Sequence, residues 1–176
     1  LLSKKSAINQ GLKMTLEQFN ALSAHAAREA LTPCVSIRQW VNAVTDARPF
    51  HTVDEAVSFA TQASHGWQAE AISSALAQHP RIGERLQGDS KEAALSRAEQ
   101  ASLGLEQQTT QALLEGNQKY EQRFNRVFLI RAKGRTPDEI LAHLHRRLKN
   151  NDEQELKETA EQLQQITLLR FKELFN

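Results

Sequence analysis

Apolar residues return every three or four positions along most of the chain, and the runs are repeatedly opened by a hydroxyl residue followed three positions later by Glu or Gln. A Ser or Thr side chain can accept from an early helical N–H while the later side chain reaches back, so this pairing marks helix starts. Thr15/Gln18, Ser36/Gln39, Thr52/Glu55, Ser96/Glu99 and Thr136/Glu139 all fit it. Behind the first three stand Leu16, Phe19, Leu22; then Ile37, Trp40, Val41, Val44; then Val53, Ala56, Val57, Ala60, each set lining one helical face. A fourth helix is predicted over residues 67–78, with Trp67, Ala71, Ile72, Ala75 and Leu76 inward. Thr136-Pro137-Asp138-Glu139 opens a helix carrying Ile140, Leu141, Leu144 and Leu148, with proline in the first turn where its missing N–H does no harm. A long closing helix from Asp152 to Phe175 carries Leu156, Ala160, Leu163, Ile166 and Leu174. Arg126 to Ala132 is the one segment that reads as strand or helix alike. With no alternating pattern elsewhere, the expected fold is all-α, a single-domain bundle of roughly seven to nine helices.

Composition narrows the ligand more than the fold. Of 176 residues 40% are apolar, enough for one core, and 22 Lys and Arg against 21 Asp and Glu leave a net charge of +1. That balance argues against nucleic acid or an anionic membrane as partner and toward a small molecule. The longest apolar runs, such as Val127-Phe128-Leu129-Ile130, fall far short of the roughly 20 residues of a membrane helix, so a soluble protein is expected. One cysteine, Cys34, and no apolar signal core favour a reducing cytoplasm. Residues 1–13 are polar and read as a non-native remnant ahead of a native start at Met14, leaving 14–176 as the domain.

Three places carry candidate chemistry. In Leu76-Ala77-Gln78-His79-Pro80-Arg81-Ile82-Gly83 the proline disfavours helix at the residue before it, so the helix should end near Gln78 and leave His79 extended. Alone, His79-Pro80 is most simply a helix stop; a histidine projecting from a helix end is also suited to proton transfer. Ser96-Arg97-Ala98-Glu99-Gln100 is by itself a capping box, and the same geometry offers free N–H groups and two side chains to a ureido or amide ligand. Arg170 lies seven positions after Leu163 and fourteen after Leu156, within about 20 to 40° of both on a helical wheel. Its stem can pack while the guanidinium snorkels or pairs, or its planar fork can grip a substrate carboxylate. His143 and His145 diverge on their helix, no Cys/His cluster or phosphate loop exists, and no metal or organic cofactor is expected.

In order, these stretches join Asn117-x-x-Tyr120-x-x-Arg123-Phe124, Phe128-Leu129-Ile130-Arg131-Ala132-Lys133-Gly134-Arg135, Arg147-Leu148-x-Asn150, Glu155-Leu156 and Arg170. The set resembles the 2-oxo-4-hydroxy-4-carboxy-5-ureidoimidazoline (OHCU) decarboxylases of urate degradation, from about Leu16 to Leu174. Asn125 stands where that family often has glycine, and asparagine is among the residues that tolerate positive φ. The resemblance implies an all-helical, cofactor-independent lyase, commonly a homodimer, that converts OHCU to (S)-allantoin. Carried over residue by residue, it makes His79 the acid/base with Glu99 and Arg170 beside it in catalysis. It places Pro80, Ser96, Glu99, Gln100, Phe128, Leu129, Ile130, Arg131, Ala132 and Arg170 around the substrate. The competing expectations are a non-enzymatic helical binding module, in which each of these residues is structural, and a related enzyme acting on another ureido acid.

Overall fold

The computed structural model describes residues 13–82 and 107–176, and among them the chain forms eight helices and no strand. They are α1 Leu16–Ala21, α2 Ala24–Leu31, α3 Arg38–Asp46, α4 Val53–Ala63, α5 Ala69–Leu76, α6 Gln107–Phe124, α7 Pro137–Arg147 and α8 Asp152–Glu173. The described residues are all-α, as the hydrophobic pattern predicts. None of these helices is long and apolar enough to cross a membrane. Internal contacts divide the chain into two compact units, one running to Ala75 and resuming at Gln164–Asn176, the other comprising Leu76–Leu163.

The helix starts test the capping rule one by one. Thr15 and Thr136 form complete capping boxes with Gln18 and Glu139. Thr52 caps Glu55 N at 3.0 Å, but the Glu55 carboxylate accepts from His51 N rather than closing the box. Ser36 does not cap α3. Ile37, 4% exposed and extended at φ −116°, takes that place without any side-chain cap bond, because its side chain is buried in the core and displaces the helix start by one residue. Ser23 caps α2 at Ala26 N, a start the alanine-rich pattern concealed.

In the first unit Phe19, Trp40, Phe171 and Phe175 stack edge to face, with ring centroids 5.3 to 6.2 Å apart. The Trp40 indole N–H reaches the Ala60 carbonyl at 2.9 Å, so the buried ring leaves no donor unmet. Arg48 donates to the carbonyls of Phe19 and Leu22 at the end of α1, satisfying acceptors that a helix terminus leaves open. Beside this core Met14 pairs with Phe175 in an isolated parallel bridge, with Met14 N bonded to Leu174 O at 2.8 Å.

The second unit is built around Tyr120, Phe124, Phe128, Ile130, Ile140 and Leu144. Gly116 lets α6 and α7 approach: a Cβ there would fall 2.4 Å from Leu144 Cδ2. At the end of α6, Asn125 adopts φ +57°, the left-handed turn expected of it. The 126–132 segment that read as strand or helix is neither; it belongs to no helix or strand, with Phe128, Leu129 and Ile130 all buried.

The closing helix has the expected span but not the expected buried stripe. Along α8 the fully buried line is Glu155, Thr159, Leu163, Thr167 and Phe171, while Leu156, Ala160, Ile166 and Leu174 are only half-buried. A carboxylate and two hydroxyls can hold core positions when partners meet them, and the partners of Glu155 come from other elements of its unit.

Candidate active site

Helix α5 ends at Leu76, two residues before the sequence-based boundary, and His79 follows in a bend with its N–H on the Leu76 carbonyl at 2.9 Å. His79 is half-buried and Pro80 exposed. The two residues beyond Pro80 are each tied to α6. Arg81 donates Nε and Nη2 to the two carboxylate oxygens of Glu121, the latter at 3.1 Å. The Ile82 carbonyl accepts from Asn117 Nδ2 at 3.0 Å, and the Ile82 side chain packs on the aromatic cluster of the second unit. Asn117 and Glu121 lie one helical turn apart and so share a face of α6.

The Phe128–Ala132 segment is held in the same unit by side chains that grip its backbone. Arg147 Nη1 donates to Leu129 O at 2.7 Å, Arg131 N donates to Gln162 Oε1 at 3.0 Å, and Arg135 Nε donates to Arg131 O at 3.0 Å. These bonds secure the backbone at Leu129 and Arg131. The Phe128 and Ile130 side chains belong to the aromatic cluster. Arg131 Nε is buried without a hydrogen bond.

Arg147 itself is 1% exposed and faces Glu155 at 0%. Its Nε lies 2.8 Å from Glu155 Oε1, the Tyr120 hydroxyl donates to the same oxygen at 2.6 Å, and Asn150 Nδ2 holds Oε2 at 3.0 Å. The guanidinium also sits 4.5 Å from the Phe128 ring centroid, a cation over an aromatic face in a dry setting. Burial, and then the Glu155 carboxylate that the hydroxyl serves, push the Tyr120 pKa up to about 12. Nearby, burial first and then the Arg135, Arg146 and Arg147 charges hold His143 below the ordinary histidine range. A guanidinium only donates, so His143 Nε2, 3.0 Å from Arg135 Nη1, acts as the acceptor.

Arg170 belongs to the first unit, where it is half-buried and donates Nη1 to the Pro33 carbonyl at 3.2 Å. Next to it Cys34 is buried, and desolvation raises its thiol pKa to about 12 despite the Arg170 charge. Ser96, Glu99, Gln100 and Gly83 lie outside the described residues. The second unit therefore contains His79, Pro80 and Phe128 through Ala132 together, and Arg170 stands in the other. Sequence reasoning gave no role to Asn117, Tyr120, Arg147 or Glu155 beyond their place in a motif, and passed over Glu121. The available signal was the polar identity of Glu155 and Thr159 at helical spacing with Leu163.

A family model described as OHCU decarboxylase matches residues 20–172. The 2-oxo-4-hydroxy-4-carboxy-5-ureidoimidazoline decarboxylase of Haloferax volcanii is 31% identical over 166 residues, spanning 93% of this chain and 98% of its own length. The uric acid degradation bifunctional protein of a Bacillus species is 28% identical over 170 residues; the match takes in 92% of this chain but 32% of that longer protein. Among solved structures, that of OHCU decarboxylase in the presence of (S)-allantoin aligns with a TM-score of 0.67 at 26% identity, over 84% of this chain and 97% of that one. The structure of (S)-allantoin synthase aligns at 0.63 and 15% identity, over 92% and 54%, a likeness of fold.

Proposed function

Because the chain belongs to the OHCU decarboxylase family, we propose that it decarboxylates OHCU to (S)-allantoin in urate degradation, with His79 as the acid/base. The observation that carries this is the match over residues 20–172, which takes in the His79 turn, the Phe128–Ala132 segment and Arg170 alike. In the reaction the bond from the ring to its carboxylate breaks and carbon dioxide leaves. The electron pair passes into the ring toward the adjacent imine, a proton is added at one face, and the neighbouring hydroxyl gives up its proton as its carbon becomes the carbonyl. His79 moves protons in this sequence, and delivery to a single face accounts for one enantiomer.

Backbone N–H groups of the Phe128–Ala132 segment serve as donors to charge developing on the ring. Arg170 grips the carboxylate; a grip equal in ground and transition states favours binding more than rate. Glu99 joins His79 in catalysis, holding either its imidazole or the ureido group, and Ser96 and Gln100 belong to the substrate-binding set by their place in the family motif. A reducing cytoplasm suits one buried, unpaired cysteine. A homodimer follows the family resemblance and is checked by sedimentation.

The test generates OHCU in the cuvette from urate with the enzymes that precede this step, then follows its absorbance and the circular dichroism of the product. Wild type should remove OHCU faster than its spontaneous decay and give (S)-allantoin, and His79→Ala should be slower by about 10² to 10⁴. A wild-type rate equal to the spontaneous one, with racemic product, would remove the decarboxylase reading and leave a helical binding module.

A further inference from the structure

We propose that Asn117 and Glu121 are positioning residues for His79, acting through the backbone of residues 80–82; the inference rests on the acid/base reading of His79 above. His79 lies beyond the end of α5, so the path of its backbone depends in part on how the chain is held on either side of it. On the helical side its own N–H is bonded to Leu76 O. On the other side Pro80 supplies no donor, and the first fixed points are Arg81 and Ile82, both attached to α6.

The two attachments are poor stabilisers and good locators. Arg81 and Glu121 are 49% and 26% exposed, and exposed ion pairs add little to folding. Their two-pronged geometry nevertheless fixes the guanidinium plane, and with it the residue next to Pro80. Asn117 is 4% exposed, and while Nδ2 serves Ile82, its Oδ1 is buried without a hydrogen bond. A half-satisfied buried amide is a worse filler than an apolar side chain of its size. What the amide contributes and a leucine cannot is the bond to the Ile82 carbonyl. The platform behind both is firm, since Tyr120 and Phe124 of α6 are core residues and Gly116 seats the helix against Leu144.

Acid/base catalysis needs the imidazole within hydrogen-bond reach of the proton it moves, and a displacement of about 1 Å can cost about a hundredfold in rate. Arg81→Ala and Glu121→Ala in the full chain should therefore each lower kcat by about ten- to a hundredfold, with KM and the unfolding midpoint near wild type. The double variant should be no slower than Arg81→Ala, because Glu121 acts through Arg81. Arg81→Lys, which keeps the charge and loses the fork, should fall nearly as far as Arg81→Ala. Asn117→Leu should lower kcat likewise, with the rate referred to the folded fraction because the Ile82 carbonyl loses its partner. In each variant the plateau of the kcat profile should drop while its inflection pH stays in place.

Wild-type kcat in all of these variants, with His79→Ala still slow, would overturn the positioning inference and leave the acid/base reading intact. So would rate losses that add in the double variant, that Arg81→Lys fully restores, or that follow the fraction unfolded. A His79→Ala variant as fast as wild type would overturn both.

Discussion

Arg147 and Glu155 meet in an uneven embrace: two guanidinium nitrogens, Nε and Nη2, converge on the single oxygen Oε1 at 2.8 and 2.5 Å, and Oε2 is left to Asn150. Both side chains are withdrawn from water, so neither charge can fall back on solvent if the other is removed. Arg147→Met should cost about 3–5 kcal/mol of unfolding free energy, most of it from the stranded carboxylate. Adding Glu155→Leu should recover much of that loss. A urea-unfolding cycle over the two singles and the double measures the coupling, and additive losses would show the pair to be independent.

Tyr120 is the chain's one tyrosine, which makes its ionisation directly visible as phenolate absorbance. With the pKa raised from 10.0 to about 12, the native hydroxyl stays protonated where an unfolded one would ionise. The stability linked to this group is complete below pH 10 and is lost as pH rises toward 12. A native titration midpoint near 10 would contradict the buried bond to Glu155. Tyr120→Phe removes that bond, for an expected loss of about 1.5–3 kcal/mol, the usual worth of a hydrogen bond to a charged group.

At Gly116 two effects oppose each other. Alanine favours a helix interior by about 1 kcal/mol, whereas a methyl group driven into a filled core costs about 1–3 kcal/mol. Leu144 is fully buried, and the new carbon would lie 2.4 Å from its Cδ2, so crowding should prevail and Gly116→Ala should lower the unfolding midpoint. In the Leu144→Ala background the same change should become neutral or favourable. Equal effects in both backgrounds would mean that the contact does not limit the approach of α6 and α7.

Cys34 is the single thiol in the chain. Buried, and with its pKa near 12, it presents almost no thiolate at pH 8, so Ellman's reagent should label the native protein far more slowly than the urea-unfolded chain. Rapid native labelling would show the site open to solvent.

Local chemistry made much of this legible in advance. Thr15 with Gln18 and Thr136 with Glu139 carry their own partners three residues away, and both boxes form. At Asn125 the turn was expected from the glycine the family often has there, and asparagine keeps it at φ +57°. The failures came where a distant residue decides. Ser36 had the right neighbour three positions on but lost the cap to Ile37, whose burial belongs to the packed core. On α8 the hydrophobic positions pointed to Leu156 and Ile166, whereas the buried line runs through Glu155 and Thr159, made tolerable by Tyr120 and Arg147 from other helices. Near His79 the residue and its proline were legible; the bonds that hold the next two residues, Arg81 and Ile82, reach 40 and 35 positions ahead, to Glu121 and Asn117.

The way the two units divide the chain also sets a timetable for synthesis. The second is one uninterrupted stretch, Leu76–Leu163, set like a parenthesis inside the first. A ribosome has therefore delivered every residue of the inserted unit before it reaches Phe171 and Phe175, the rings on which Phe19 and Trp40 close. The first unit is begun first and completed last: its earliest residues wait through the whole insertion until Phe175 arrives to lie beside Met14.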